Sequence, residues 1–507
     1  MSKTQPIRAI IIESSGLVIL ALGLYLPFLA IQYDINGIVE ANALESGQLL
    51  YKNHVLYRPI GLLFYRTLQM FGYQGNSLLV LQTINALCGA IGIGLAYAVF
   101  RSATRERPAA LMGALFLATS LTYWLFSTDV AYITPAALFV LAATVLILYA
   151  DSTKEFVAAG LFLSLSVLTW QASIVALLPL IALLFWRKPF PVYRNAAFFC
   201  LTLAAVTIPV YVVLAGASSG FTGPQESWAW LTSHGDAGGG LPLWGVWGVE
   251  RIQPALRSAL RSVVPSRLAI SPLKISPSIQ LGRLVVDVAL IALTILIVLA
   301  ALKTRLRSLW FLFGYLVFIP FIVWWDPFEP KWFFIPNVFF AGFISCGLES
   351  WLQRRRVGIA VILCVLTIAA ANFVTIIRPR HGKLGPDRSM AQCVAEHMQP
   401  QDAFIAAEWG WPDYLGYLHQ RTEINLINET AGAGSKERML EKVKGFIGST
   451  NDAGGSVYML EPHAFSQSHL EWLRAATGLT IDDLTGFGGS PSVTCEGKPI
   501  LYMPSKK

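Results

Sequence analysis

The chain reads as an all-α polytopic membrane protein that ends in a small α/β extracytoplasmic domain. Three observations lead there. Of its 507 residues, 55% are hydrophobic and only 13% charged, whereas soluble domains have roughly 45–50% apolar and about 25% charged residues. Apolar stretches of spanning length recur between short loops rich in Lys and Arg. From Arg378 onward, short strand-like runs alternate with amphipathic stretches. The net charge of +8 is no nucleic-acid signature, because most of the basic residues fall where a topology signal explains them.

The first span, Ala9 to Ile31, ends in Gln-Tyr-Asp rather than a small-residue cleavage site and is expected to be retained. An outer loop, 32–77, follows. Its apolar piece, Pro59 to Tyr73, is short and carries Arg66 and Gln69, so it is placed flat or re-entrant at the interface. Span two (Leu78 to Phe100) ends at Arg101, Arg105 and Arg107, an inner mark. Spans three (Ala109 to Phe126) and four (Val130 to Tyr149) are joined by an outer turn at Asp129. Phe156 to Trp186 is too long for one crossing and is split near Trp170-Gln171 into spans five and six. Span seven is Asn195 to Leu214, and a long outer loop, 215–282, leads to spans eight (Leu284 to Leu302), nine (Trp310 to Trp324), ten (Trp332 to Leu348) and eleven (Val357 to Ile377). About 11 spans with the N-terminus in the cytoplasm put every short basic loop on one side and leave the C-terminus outside. The domains are therefore 1–377 in the membrane and 378–507 outside it.

In the C-terminal domain AFIAAEW, TEINLIN, GSVYMLE and PILYMP read as strands, with SKERMLEKVKGFI and QSHLEWLRAAT as helices. Cys88, Cys200, Cys346 and Cys364 lie in spans as packing residues. Cys393 and Cys495 are the pair in an oxidising compartment; a disulfide between them would tie the start of the domain to its end, and the sequence leaves that open.

The first outer loop collects titratable groups at the water–lipid boundary: Asp34, Glu40, Glu45, and then His54-Val-Leu-Tyr-Arg58-Pro. Polar residues so close to hydrocarbon usually face a cavity or substrate path; the alternative is a solvated juxtamembrane loop. A second polar turn carries Ser127-Thr128-Asp129, and Glu329-Pro330-Lys331-Trp332 opens span ten. In the long loop, Arg257 and Arg261 share a helical face, with Glu250 and Arg251 preceding them, which suits anionic headgroups or a phosphate. Gly235 to Gly240 lack the strand and the GK[ST] of a phosphate loop and read as a flexible linker or lid. There is no HExxH, paired CxxC or DxD; a divalent metal shared by Asp34 and Asp129 would require the fold to bring their turns together.

Taken together, the first-loop acid, the His-to-Pro closure with its interfacial helix, the polar turn after span three, the acid-Pro-basic-aromatic entry to span ten and the outer C-terminal domain resemble the GT-C glycosyltransferases, among them the protein mannosyltransferases and the lipid A aminoarabinose transferase. The sequence departs from that pattern in lacking an adjacent acid pair at Asp34, in retaining only Pro59 after His54, and in having Lys331-Trp332 where Arg-Tyr is common. The resemblance implies transfer of a sugar from a polyprenyl-phosphate carrier to a lipid, glycan or protein acceptor at the outer face of the inner membrane. It implies Asp34 as catalytic base, and a phosphate- and substrate-binding set of His54, Arg58, Asp129, Glu329, Lys331 and Trp332. The competing classes are a transporter or flippase for a lipid-linked substrate, which would show repeated halves or mid-span charge, and an oligosaccharide polymerase or ligase.

Overall fold

The computed structural model describes residues 7–104, 106–187, 191–219, 223, 225–226, 245–265, 306–349, 352, 355–433 and 435–504. Span eight and the Gly235–Gly240 linker lie outside the described residues. The chain divides into two compact units: Met1–Ala30, Ala43–Thr222 and Val246–His381 form the first, and Ile31–Asn42, Gly223–Gly245 and Gly382–Lys507 the second.

Among the described residues, six helical stretches are long and apolar enough to cross a membrane: Arg8–Phe28, Ser77–Ala103, Val192–Gly216, Arg307–Trp325, Pro330–Leu348 and Gly358–His397. The bent pair Arg107–Thr119 and Leu121–Ser127 makes a seventh when counted as one span. Ile133–Tyr149 and Gln171–Arg187 are shorter apolar helices. The protein is thus a multi-pass membrane protein. Its first unit is built on α1 (Ile7–Tyr25), α3 (Tyr57–Met70), α4 (Ser77–Ala103), α5 (Arg107–Thr119), α6 (Leu121–Ser127), α7 (Ile133–Tyr149), α8 (Thr153–Thr169), α9 (Leu177–Arg187) and α10 (Val192–Ser219), followed by helices Ile252–Arg261, Leu306–Leu316, Phe318–Trp325, Phe334–Leu348 and Arg355–Asn372. Small residues let backbones approach: a Cβ on Gly160 of α8 would lie 2.5 Å from the Phe199 carbonyl of α10, the close packing that membrane helices use in place of a hydrophobic drive.

Two helix breaks set the layout. α5 and α6 bend by 62° at Ser120, which frees backbone groups that hydrocarbon cannot satisfy. The end of the Ile252–Arg261 helix fills that role: Leu121 N donates to Val263 O (2.9 Å) and Thr122 N to Ser262 O (2.9 Å). The Asn372 amide donates to Thr119 O (2.7 Å) and Val263 O (2.9 Å), and the buried Asn337 amide reaches Thr122 Oγ1 (3.1 Å). The second break is Trp170, where α8 ends in extended backbone before a 3-10 turn, Gln171–Ala176. There the first loop supplies the partners, Leu56 N to Leu168 O (2.9 Å) and Gln171 N to Asn53 O (3.2 Å).

The second unit contains a five-stranded sheet in the order β2-β1-β3-β5-β4, with β1 (Ala403–Ala406), β2 (Thr422–Asn425), β3 (Val457–Leu460), β4 (Ser490–Cys495) and β5 (Lys498–Met503). β2, β1 and β3 run parallel, Ala403 pairing with Thr422 and Val457; β5 and β4 are antiparallel. Four of the strands lie on the runs AFIAAEW, TEINLIN, GSVYMLE and PILYMP read as strands from the sequence. β4 carries Pro491 and is mostly exposed, so it lacks an apolar signal, and Pro is tolerated on such an edge. It hairpins into β5 through Glu496 and Gly497, both at positive φ (49° and 78°), as a two-residue type I′ turn requires. TEINLIN is strand only as far as Asn425, whose side chain accepts from Ile427 N (3.2 Å) and starts the next helix, Leu426–Ala433. Cys393 and Cys495 form a disulfide with Cα atoms 5.8 Å apart, joining helix Pro386–His397 to the end of β4.

Burial raises the carboxyl of Glu423 to about 8, helped by the nearby Asp413, itself raised to about 6 mainly by burial. Each group holds its proton in the folded chain at pH values where the unfolded chain has released it. Stability therefore falls as pH rises from the ordinary carboxylate range through about 8, with a slope of at most about 1.4 kcal/mol per pH unit per group. The temperature at which the second unit becomes protease-sensitive is expected to be higher at pH 5 than at pH 8, and Glu423→Gln should flatten that difference by stabilising the pH 8 state.

Candidate active site

The first-unit candidates are strung along one run of contacts. Backbone turns at His54 and Tyr57 (His54 N to Tyr51 O, Tyr57 N to His54 O) fold the loop onto the Trp170 break. The buried His54 ring stacks on Tyr132 with centroids 3.4 Å apart and lies 5.3 Å from Tyr51. Arg58 is also buried: its guanidinium donates to Gln48 O (3.0 Å) and sits 5.1 Å from the Tyr51 centroid. Lys52, which the sequence reading passed over, is buried in the same turn. From here Asn53 leads through Gln171 to Trp170, whose indole stacks on Trp332 (5.7 Å, 11° between planes). Lys331 then lies with its ammonium 4.8 Å from the Trp332 ring centroid, a cation–π arrangement.

Trp332 is thus a buried platform, flanked by Trp170 and donating its Nε1–H to Asp326 Oδ2 (3.3 Å). Lys331 is half-buried and among the described residues forms no ion pair, so its charge is held by an aromatic face rather than cancelled by a carboxylate. The turn Asp326–Phe333 is itself pinned from the long loop. Arg251 donates to Trp325 O (3.3 Å) and Val246 O (2.9 Å), and Ser258 Oγ to Pro327 O (2.7 Å). Arg251, assigned from spacing to a basic surface face, is buried instead, because the carbonyls of that turn need a donor. Arg257, on the helix that Arg251 precedes, is exposed, with Ala255 and Ser258 forming the packed face. Glu329 is exposed and precedes the 3-10 turn that carries Lys331.

Asp129 has no exposed side-chain surface and pairs with Arg380 at 2.5 Å, while its Oδ1 accepts from Val130 N (2.7 Å). Polar residues of α4 hold its turn: the Gln82 amide donates to Ala30 O (2.7 Å) and Thr128 O (3.2 Å), and that of Asn85 to Asp129 O (2.8 Å) and Ala131 O (3.0 Å). The turn delivers Tyr132 to His54. Arg380 was invisible as a partner in the sequence, because 251 residues separate it from Asp129; the buried Gln and Asn of an otherwise apolar span were the signal that could have pointed to this turn.

Asp34 belongs to the second unit. It precedes α2 (Ile35–Glu45), its Oδ1 accepting from Asn36 N (2.9 Å) and Asn36 Nδ2 (2.6 Å) while its carbonyl takes the first helical amides, Gly37 and Ile38. This is N-cap geometry, and it leaves the acid half-buried. Among the described residues, Cys393, His397 and Cys495 are close enough together to hold a metal, but both sulfurs are in the disulfide and offer no thiolate.

No family model matches the chain, and no curated protein matches it. Solved structures do. ArnT from Cupriavidus metallidurans, bound to undecaprenyl phosphate, is 11% identical with a TM-score of 0.59 over 98% of this chain and 97% of that one; its apo state gives 0.62 over 96% and 97%. The Archaeoglobus fulgidus oligosaccharyltransferase, solved with Zn and sulfate, is 13% identical with a TM-score of 0.52, covering 98% of this chain and 73% of its own. At these identities the likeness is one of fold. The chain has the fold of the GT-C membrane glycosyltransferases.

Removing the partner of a buried charge costs more than the pair itself contributes. Arg380→Ala is expected to destabilise the first unit by about 3 kcal/mol, read as a lower melting temperature in detergent. Adding Asp129→Asn should restore much of the loss, since the orphaned charge is then gone.

Proposed function

We propose that this protein transfers a sugar from a polyprenyl-phosphate carrier to a lipid, glycan or protein acceptor on the outer face of the inner membrane. The observation that carries the reading is the basic and aromatic run from Lys52, His54 and Arg58 through Trp170 and Trp332 to Lys331, set in a fold shared along its length with an enzyme crystallised on undecaprenyl phosphate. Fixed, partly desolvated cations at a membrane boundary suit a lipid phosphate. In this reading the bond between the sugar's anomeric carbon and the phosphate oxygen breaks as the acceptor hydroxyl attacks that carbon. The acceptor proton passes to the Asp34 carboxylate, and the lipid phosphate leaves as an anion that needs positive charge but no proton. Lys331 and Arg58 supply that charge. Trp332 holds Lys331 in place, and His54, stacked on Tyr132, aligns the loop that carries Arg58. Asp129 organises the neighbouring turn.

Asp34→Asn keeps an acceptor for the Asn36 amide and so preserves the cap, but it removes the base. Transfer is expected to fall about 100- to 10,000-fold with insertion and expression unchanged. Purified variant retaining transfer within a few-fold of wild type would remove Asp34 from the chemistry.

Lys331→Ala should weaken use of a synthetic polyprenyl-phosphate sugar while acceptor dependence stays put, and Lys331→Arg should recover part of it because charge over Trp332 is retained. If Lys331 only covers the indole, Lys331→Met will match Lys331→Arg, and the phosphate role is lost.

A further inference from the structure

Each of the three residues before Asp34 is tied to the body of the second unit. Arg388 Nη1 donates to Ile31 O (3.0 Å), Gln32 Nε2 donates to Lys383 O (2.9 Å), and the Tyr414 hydroxyl donates to Tyr33 O (2.6 Å). The rings of Tyr33 and Tyr414 lie 6.4 Å apart and the Arg388 guanidinium is 5.9 Å from the Tyr33 centroid. These donors sit on rigid supports. Arg388 is on helix Pro386–His397, which the disulfide joins to β4. Tyr414 is on helix Trp411–His419, whose Trp411 packs edge-on against Phe404 of β1 (5.0 Å) and donates to the buried Glu408 (2.8 Å). Glu408 is in turn bound by Lys498 of β5 and by Ser466 N. The two helices pack on one another.

Resting on the assignment of Asp34 as the base, we infer that Arg388 and Tyr414 are positioning residues for it. The peptide plane between Tyr33 and Asp34 is oriented through the Tyr33 carbonyl that Tyr414 holds, and the following turn is closed by the Gly37 and Ile38 amides on Asp34 O (2.9 and 3.3 Å). Asp34 is thus clamped on both sides, before it by the sheet-borne helices and after it by its own cap. Arg388 and Tyr414 thereby act on the chemistry through Asp34 without themselves touching substrate. Displacing a catalytic group by about 1 Å costs up to about 100-fold in rate, so removing these donors should lower kcat and leave donor KM nearly unchanged.

The test uses the full-length protein in detergent. Tyr414→Phe, which keeps the ring, is expected to lower kcat about tenfold, and Tyr414→Phe with Arg388→Ala about 100-fold, with synthetic decaprenyl-phosphate hexoses and pentoses as donor probes and envelope membranes as acceptor. Arg388→Lys, which retains a donor for Ile31 O, should recover part of the loss. In an Asp34→Asn background Tyr414→Phe should cost nothing further, because the residue it positions no longer reacts. Independently of turnover, hydrogen exchange at Gly37 and Ile38 should accelerate at least tenfold in the double variant while β1 amides remain protected. Wild-type exchange at both amides together with wild-type kcat would overturn the inference even if Asp34→Asn is inactive. A fully active Asp34→Asn with accelerated exchange would discard the base and keep the clamp.

Discussion

Backbone amides and carbonyls released inside a membrane bundle must find partners within the protein, and the architecture of the first unit follows from how two such breaks are satisfied. At Ser120 the partners are Ser262 and Val263, delivered by a helix of the long loop. At Trp170 they are Asn53 and Leu56 of the first loop. Segments that look like connections in the sequence are therefore fixed parts of the bundle, and each carries buried polar side chains into place. The first loop brings Lys52, His54 and Arg58; the long loop brings Arg251 and Ser258 under the turn that presents Lys331.

The charged groups obey a related rule, since a buried ion without partners is too costly to keep. Asp129 is matched by Arg380, and Glu408 by Lys498, Trp411 and a backbone amide. Lys331 differs in being held by an aromatic ring. An indole face offsets part of the desolvation of an ammonium without cancelling its charge. Asp34 is half-buried and caps its own helix.

That the chain is mainly helical with several membrane spans was legible because composition and spanning length are properties of the chain itself. So was the break at Trp170-Gln171, for a run longer than one crossing must bend or split. The GT-C resemblance rested on short motifs along the spans, and the fold it implied is shared with a structure that is 11% identical. Edge strand β4 was missed because a mostly exposed strand carries no apolar rhythm, and the helical end of TEINLIN because the Asn425 cap overrides local preference.

Sequence alone determined which segments are apolar enough to leave water, where the basic loops fall between them, and which acids and cations stand at the boundaries. Only the tertiary structure decided what those groups meet. Arg251 turned inward because distant carbonyls needed a donor, Trp332 became a platform because Trp170 stands beside it, and Asp129 acquired Arg380 from the end of the last span. It also drew Ile31–Asn42 into the same unit as residues beyond Gly382. The physical reason is that hydropathy is local and additive along a chain, whereas hydrogen bonds, stacking and charge pairing depend on atoms brought within a few ångströms by packing of residues hundreds of positions apart.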